Sequence, residues 1–156
     1  MSDDIKLLRK AIDIADSGIH AGGGPFGSVI VKEGKIIAGS NNRVVLNNDP
    51  TAHAEILAIR ETARILGTHD LDGCVLYSSC EPCPMCLGAI YWSRIKRVVY
   101  ASGRRDAAAA GFDDELIYSE ISLDPSERQV IFLHMDDKEA EEVFRKWEKY
   151  EGKTTY

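Results

Sequence analysis

Two short segments of the chain carry residues that could bind one metal ion together. His53 lies at the start of a predicted helix, and Cys83 and Cys86 begin another helix with the spacing Cys-x-x-Cys. One imidazole and two thiolates form a ligand set that suits Zn²⁺, a tetrahedral and borderline-soft ion. Three protein ligands leave the fourth position open for water, which is typical of a catalytic site. We therefore predict one zinc ion per subunit, with a bound water or hydroxide at neutral pH.

Glu55 follows His53 by two residues and adds an acid–base group to this set. At that spacing the carboxylate is too far round the helix to be the obvious fourth ligand, yet near enough to contact the bound water. A carboxylate there can take a proton from water and pass it to a substrate. This combination predicts hydrolytic deamination, in which hydroxide attacks an amidine-like carbon, a ring nitrogen is protonated and ammonia leaves.

All four cysteines lie in one short segment, and other uses of them stay open. Cys83 and Cys86 alone would also suit a redox pair. Together with Cys80 they could begin an iron–sulfur site, although no further cysteine follows Cys86. Cys80 could also be the fourth ligand of a structural zinc site. We expect instead that Cys80 lies beside the zinc site without binding the ion, and that Cys74 is a buried strand residue.

The hydrophobic pattern predicts a layered α/β domain. The predicted helices cover residues 3–19, 51–66, 82–92 and 138–150, and the predicted strands cover residues 26–31, 36–40, 74–78, 97–101 and 129–133. A short turn joins the first two strands, which must therefore be antiparallel. In the last helix, Val143, Phe144 and Trp147 are expected to face inward. This order predicts a mixed sheet with helices on both faces.

Length and charge narrow the class of protein. The chain has 156 residues, which suits a single domain, and a formal net charge of -6. The acidic surplus argues against nucleic acid as a partner, because lysine and arginine neutralise phosphates. No apolar stretch reaches the ~20 residues of a membrane helix, and the acidic start differs from a signal peptide. We expect a cytoplasmic protein that acts on a small molecule and does not bind membranes.

At these residues the sequence resembles the cytidine deaminase-like superfamily. Its zinc-dependent deaminases share the signature H-x-E…P-C-x-x-C. The run from Thr51 to Glu55, together with the run from Cys80 to Ile90, resembles the branch that holds tRNA adenosine, cytosine and guanine deaminases. Within this branch the chain resembles the bacterial guanine deaminases. The similarity covers nearly the whole chain and includes Gly24-Pro25-Phe26-Gly27, Asn41-Asn42, Asn48-Asp49-Pro50, Ala89-Ile90-Tyr91-Trp92, Ala110-Gly111-Phe112-Asp113-Asp114 and Tyr156.

The resemblance implies an α/β/α sandwich around a five-stranded mixed sheet. It also implies a homodimer whose C-terminal segment, about residues 135–156, is exchanged between subunits. His53, Cys83 and Cys86 would bind zinc, and Glu55 would carry protons. The residues implied to bind the substrate are Phe26, Asn42, Ala54, Trp92, Asp114 and, from the neighbouring subunit, Tyr156.

Asp114 is the residue whose chemistry separates guanine from other bases in this interpretation. Guanine donates hydrogen bonds from N1 and from its 2-amino group, and an ionised carboxylate only accepts. Adenine and cytosine place an acceptor beside their amino group, where a carboxylate would be repelled. Asp114 could also pass a proton to the departing ammonia, which makes it a second candidate catalytic residue. The resemblance thus implies conversion of guanine to xanthine and ammonia, a step of purine metabolism.

Plainer structural uses of the same side chains stay open. Phe26 and Trp92 could belong to the core, and Asn42 could only shape a turn. Either Asp113 or Asp114 could cap the helix that follows. A C-terminal tyrosine could equally be part of a frayed tail.

Three other functions also stay open. The substrate could be guanosine or another aminopurine or triazine ring. The chain could be a tRNA adenosine deaminase, although its acidity counts against that. It could also be a zinc-binding or redox module without catalytic activity.

Overall fold

A computed structural model of the chain describes residues 3–156, which form two compact units divided after residue 115. The strands are β1 (Gly24–Lys32), β2 (Lys35–Asn42), β3 (Cys74–Cys80) and β4 (Arg97–Ser102). The helices are α1 (Asp3–His20), α2 (Val44–Asn47), α3 (Ala54–Leu66), α4 (Pro84–Trp92), α5 (Arg104–Ala109), α6 (Glu115–Ile121) and α7 (Lys138–Lys149), with one 3₁₀ turn at Pro125–Glu127. Within residues 3–156, every helix is too short or too polar to cross a membrane. The short helices α2 and α5 lie in segments for which the sequence predicted no helix, whereas α6 is the helix that was expected to follow Asp113 and Asp114.

The sheet of the first unit has the strand order β2-β1-β3-β4. The pairs β1–β2 and β1–β3 are antiparallel, and β3–β4 is parallel, so the predicted mixed sheet is confirmed. The hairpin between β1 and β2 turns at Glu33 and Gly34, whose φ angles are 50° and 75°. Two consecutive positive φ values match the twist of the strands that such a two-residue turn joins.

Alternate side chains of the central strands pack against different helices. Val29, Val31 and Tyr77 join residues of α1 in one buried cluster. Ile30 and Leu76 join residues of α3 and α4 in a second cluster on the opposite face. The period of two along each strand therefore produces the three layers, and the predicted α/β/α class is confirmed.

The predicted fifth strand at residues 129–133 is wrong, because the sheet has four strands within the part of the chain that the structure describes. The side chains of Val130, Ile131, Phe132 and Leu133 are all exposed, Ile131 by 83%. Apolar character predicts a strand only where a neighbouring strand can pair with its backbone. The described elements of the second unit are all helical, so this segment has no partner strand in its own unit.

Helix α7 forms as predicted, but its apolar side chains do not face inward. Asp137 caps the helix by accepting a hydrogen bond from the backbone of Glu139. Val143, Phe144 and Trp147 are exposed. Their spacing places them along one apolar stripe of the helix. The inward orientation expected from this pattern is therefore wrong for the isolated chain.

Candidate active site

Both predicted ligand segments lie at the starts of helices. His53 is the N-terminal cap residue of α3, and Cys83 is that of α4, with Pro84 at the first helical position. The backbone of both cap residues is extended, and each carbonyl accepts the first bond of its helix. Proline suits this place, because its missing N–H has no partner in the first turn. The positive end of each helix favours thiolates and other anions in this region.

The three candidate ligands meet with spacings that fit one zinc ion. Cys83 Sγ and Cys86 Sγ lie 3.6 Å apart, and His53 Nδ1 lies 3.4 Å and 3.5 Å from these sulfurs. Tetrahedral zinc with ordinary bond lengths would separate two sulfurs by about 3.8 Å, and a sulfur from a nitrogen by about 3.6 Å. The observed triangle is close to these edges, so the donor set fits a zinc ion at its centre.

The two thiols shift each other's pKa and that of the imidazole. A hydrogen bond between the Cys83 and Cys86 side chains, supported by one with His53, lowers the pKa of Cys83 to about 4. The same hydrogen bond, with burial, raises the pKa of Cys86. Contact with Cys83 raises the pKa of His53 above its ordinary value. The lowered pKa favours the thiolate form of Cys83, which is the form that binds metal.

Glu55 lies against this cluster and is almost completely buried, with 5% of its surface exposed. Its Oε1 accepts a hydrogen bond of 2.8 Å from Ser78 Oγ, and its Oε2 lies 3.5 Å from Cys86 Sγ. Burial raises the pKa of Glu55, because the charged carboxylate loses its water. A carboxyl group at this place can accept a proton from one partner and release it to another.

The two remaining cysteines lie outside the triangle of ligands. Cys80 is buried, and its thiol points to the carbonyl oxygen of Gly103 at 3.7 Å. The side chains close enough to share a metal ion are those of His53, Cys83 and Cys86, and Cys80 is not among them. Cys74 belongs to the apolar cluster beneath α3.

Two of the predicted substrate-binding residues lie at the ends of the hairpin. Phe26 is half-buried and packs edge-on against Phe112, with ring centroids 4.9 Å apart. Asn42 is buried, and its Oδ1 accepts from the backbone of Val44 at 3.2 Å, so it does shape a turn. The backbone of Arg43 donates to Ala52, which holds this end of β2 beside the start of α3.

The neighbouring acids Asp113 and Asp114 have different partners. Asp113 accepts a hydrogen bond of 3.0 Å from the backbone of Glu115, at the start of α6. Asp114 is partly buried, and Arg104 Nε lies 3.3 Å from its Oδ1. Arg104 also contacts Glu115 at 2.7 Å. Of the two acids, Asp113 therefore caps the helix.

The remaining predicted substrate-binding residues, Ala54, Trp92 and Tyr156, differ in how far they are buried. Ala54 is fully buried as the first residue of α3, so its polar groups are those of the backbone. Trp92 ends α4 and is 68% exposed, which removes the alternative that it is a core residue of the isolated chain. Tyr156 belongs to the second unit and is exposed there.

Two residues of this region were missed by the sequence analysis as site residues. Ser78 is the hydrogen-bond partner of Glu55, and its signal was a polar residue in a strand that otherwise reads as buried and apolar. Alternation along β3 places it on the same side as Leu76, which faces α3. Phe112 is the ring against Phe26, and its proximity follows only from the fold.

Known proteins match this arrangement in sequence and in structure. A guanine deaminase of Bacillus subtilis is 52% identical over 96% of this chain and 97% of that protein. The X-ray structure of guanine deaminase from Bacillus subtilis superimposes with a TM-score of 0.94 over 97% of both chains, at 51% identity. A tRNA-specific adenosine deaminase of Aquifex aeolicus is 46% identical, over 62% of this chain and 64% of that protein.

The family model for the cytidine and deoxycytidylate deaminase zinc-binding region matches residues 1–102. That region contains the three candidate ligands and Glu55. The family predicted from the two motifs is confirmed by these matches, as is zinc as its cofactor. The chain belongs to the family of zinc-binding cytidine and deoxycytidylate deaminases.

Proposed function

We propose that this protein hydrolyses guanine to xanthine and ammonia. Deamination as the reaction type is supported by one observation above all: the buried carboxyl group of Glu55 lies against the His-Cys-Cys cluster. Guanine as the substrate is supported by the extent of the match to a guanine deaminase, which covers nearly the whole chain. The match to a tRNA-specific adenosine deaminase leaves out more than a third of this chain.

Glu55 moves the protons of the proposed reaction. His53, Cys83 and Cys86 would hold zinc, which when bound would lower the pKa of a water molecule and supply hydroxide at neutral pH. Glu55 accepts a proton from the attacking water and delivers it to N3 of guanine, as the water oxygen adds to C2. The proton of the new C2 hydroxyl group then passes to the amino group, the C2–N2 bond breaks, and ammonia leaves as C2 becomes a carbonyl. The sum is guanine plus water to xanthine plus ammonia.

Asp114 and Asn42 orient the base in this proposal. The Asp114 carboxylate accepts from N1–H and from the 2-amino group, and it can pass the proton of the new C2 hydroxyl group to the departing amino group. Arg104 Nε lies 3.3 Å from the same carboxylate and helps to hold it in place. The Oδ1 atom of Asn42 is held by a backbone N–H, so its amide nitrogen is the atom that donates to O6 or N7.

The aromatic residues and Ala54 complete the proposed pocket. Phe26, packed on Phe112, and Trp92 hold the two faces of the purine. Ala54 contributes a backbone group, because its side chain is a buried methyl.

We further propose a homodimer in which residues 135–156 pass to the partner and bring Tyr156 to its pocket. The exposed apolar stripe of α7 supports this proposal, because exposed apolar surface of this kind marks interaction sites. A mixture of two inactive variants tests it. Glu55→Gln chains supply Tyr156, and Tyr156→Ala chains supply Glu55. Co-refolded chains recover guanine turnover if Tyr156 acts on the partner, and stay inactive if it acts within its own chain.

A reducing compartment suits this site. The cysteines are free thiols, and two of them must stay reduced to bind zinc. Cytosolic redox buffers keep thiols in that state. We therefore propose a cytoplasmic location, which fractionation of cells that express the protein would test.

A panel of substrates tests the proposed activity. Zinc-loaded protein is incubated with guanine, guanosine, adenine, cytosine and tRNA, and released ammonia is measured. We expect turnover of guanine well above that of every other substrate. Absence of guanine turnover in protein that carries one zinc ion per chain would contradict the proposal. Turnover of tRNA that falls steeply with salt would indicate a tRNA deaminase instead.

A further inference from the structure

We propose that Ser78 is a positioning residue that orients Glu55 for proton transfer. This inference rests on the proposed function, in which Glu55 carries protons between water and the base. Ser78 does not touch the candidate ligands in the described contacts. It contacts Glu55 and acts through that residue.

The hydrogen bond between the two side chains divides the roles of the Glu55 oxygens. Ser78 Oγ donates to Oε1 at 2.8 Å, whereas Oε2 lies on the side of the cluster, 3.5 Å from Cys86 Sγ. Ser78 has 1% of its surface exposed, and Glu55 has 5%, so little water reaches either group. One oxygen is therefore anchored to the sheet, and the other lies on the side of the candidate zinc ligands.

The backbone of Ser78 is held rigidly by the neighbouring strands, which fixes the position of the hydroxyl group in this hydrogen bond. It lies in β3, between Ser28 of β1 and Tyr100 of β4. The adjacent residue, Ser79, points to the opposite face and accepts a hydrogen bond of 3.0 Å from the backbone of Gly27. With strands on both sides and a short side chain, the Ser78 hydroxyl has few positions available to it.

A hydroxyl group is suited to a partner that takes up and releases a proton. It donates to an ionised carboxylate, and it can accept from a protonated carboxyl group. Ser78 thus remains a partner for Glu55 through both halves of the proposed reaction. Without the hydroxyl, the buried carboxyl group would turn towards another donor, and a shift of this kind at a reacting group can cost about 100-fold in rate.

Two substitutions of nearly equal shape test the role of the hydroxyl. Ser78→Thr keeps the hydroxyl, and Ser78→Val replaces it with a methyl group. We expect kcat for guanine to fall about 10- to 100-fold in Ser78→Val and to stay within about threefold of the parent in Ser78→Thr. KM should change less than about twofold, and each variant should retain one zinc ion per chain. Ser78→Ala repeats the loss of the hydroxyl without added bulk.

Ser79→Ala is the matched control, because it removes a buried hydroxyl from the same strand on the other face. Its kcat should equal that of the parent when measured well below its unfolding temperature. Equal losses of kcat in Ser78→Thr and Ser78→Val would overturn the proposal. So would a kcat within about threefold of the parent in both Ser78→Ala and Ser78→Val.

Crystal structures of the parent and of Ser78→Ala give a readout that does not depend on activity. We expect the Glu55 carboxyl group to rotate, or to occupy two conformers, in the variant. An unchanged carboxyl position would overturn the proposal. If the parent fails to turn over guanine, the proposed function is contradicted, and this comparison of carboxyl positions still decides whether Ser78 holds Glu55.

Discussion

The adjacent polar side chains of Tyr77 and Ser78 in β3 point to opposite faces of the sheet, towards α1 and α3 respectively. On the α3 side, Ser78 donates to Glu55 next to the candidate zinc ligands. On the α1 side, the hydroxyl of Tyr77 donates to Asp4 at 2.7 Å, and Arg97 contacts the same carboxylate at 2.7 Å. Both are hydrogen bonds to a carboxylate on a distant helix, yet their surroundings differ.

The difference lies in what each carboxylate can reach. Glu55 is buried against thiols and an imidazole, so its position matters for proton transfer. Asp4 lies near the surface, and its described contacts with Tyr77 and Arg97 attach the start of α1 to the sheet. We infer that substitutions on the α3 side reduce turnover with little loss of stability, and that substitutions on the α1 side do the reverse.

The largest effect on the α3 side is expected from Cys83→Ala. Loss of one thiolate should reduce bound zinc to a small fraction of one ion per chain and guanine turnover to the background rate. Cys80→Ala is the control, because the Cys80 thiol points to Gly103 rather than to the cluster, and it should retain its zinc. Metal analysis and ammonia release measure both outcomes. Retained zinc in Cys83→Ala, or lost zinc in Cys80→Ala, would mean that the ligand set is wrong.

Cys83→Ala also tests whether the α3 side of the sheet contributes to turnover without contributing to stability. Circular dichroism of the variant should show the helical content of the parent, since the apolar clusters above and below the sheet are unchanged. A chain that unfolds when zinc is lost would show that the α3 side holds the fold together as well.

Glu55→Gln should have the next largest effect. The amide keeps the size of the side chain but cannot carry a proton, so kcat should fall by about 10²- to 10⁴-fold. Zinc content should stay at one ion per chain. The unfolding temperature should stay the same or rise, because burial disfavours the charged carboxyl group that is removed. Unchanged turnover would support a zinc module without catalytic activity.

A smaller effect is expected from Asp114→Asn, and Asp113 offers a matched control for it. An amide at 114 would present a donor to the donor edge of guanine, so kcat/KM should fall about 10- to 100-fold. Asp113→Asn changes the residue that caps α6 and should leave kcat/KM nearly unchanged. Steady-state kinetics with guanine separate the two variants. Equal losses in both would indicate a structural effect on the whole segment.

Local patterns were sufficient to predict most elements and the candidate ligands. Helix starts, glycine stops and alternation along strands are properties of neighbouring residues, and so is the spacing from Cys83 to Cys86. His53 is distant in the chain, but a family signature connects it to the cysteines. The three-layer order follows from the same patterns, because helices must cover both apolar faces of a central sheet.

Features that depend on distant pairing could not be predicted in this way. The segment 129–133 has the apolar character of a strand, but only the fold shows that its unit offers it no partner strand. Ser78 meets Glu55 through the registration of β3 beneath α3, and the contact of Phe26 with Phe112 joins two ends of the first unit. The apolar stripe of α7 predicted burial but could not say against which surface.

The smallest effect is expected on the α1 side, from Asp4→Asn. Hydrogen bonds from Arg97 and Tyr77 lower the pKa of Asp4 below its ordinary value. The carboxylate therefore stabilises the fold at pH values above its unfolded pKa of about 3.9, and this contribution is lost as the pH falls through the lower folded pKa. Asp4→Asn should unfold at a lower temperature than the parent at pH 7, and the difference should shrink below about pH 4.

Thermal unfolding of both proteins across this pH range measures the difference, and kcat for guanine at pH 7 completes the comparison. Turnover should be unchanged, because Asp4 fastens α1 on the face of the sheet away from Glu55. Tyr77→Phe, which removes one of the two donors, should give a smaller shift of the unfolding temperature with the same pH dependence. A fall in kcat in either variant would show that the α1 side also affects the chemistry. It would contradict the inference that the two faces of β3 serve turnover and stability separately.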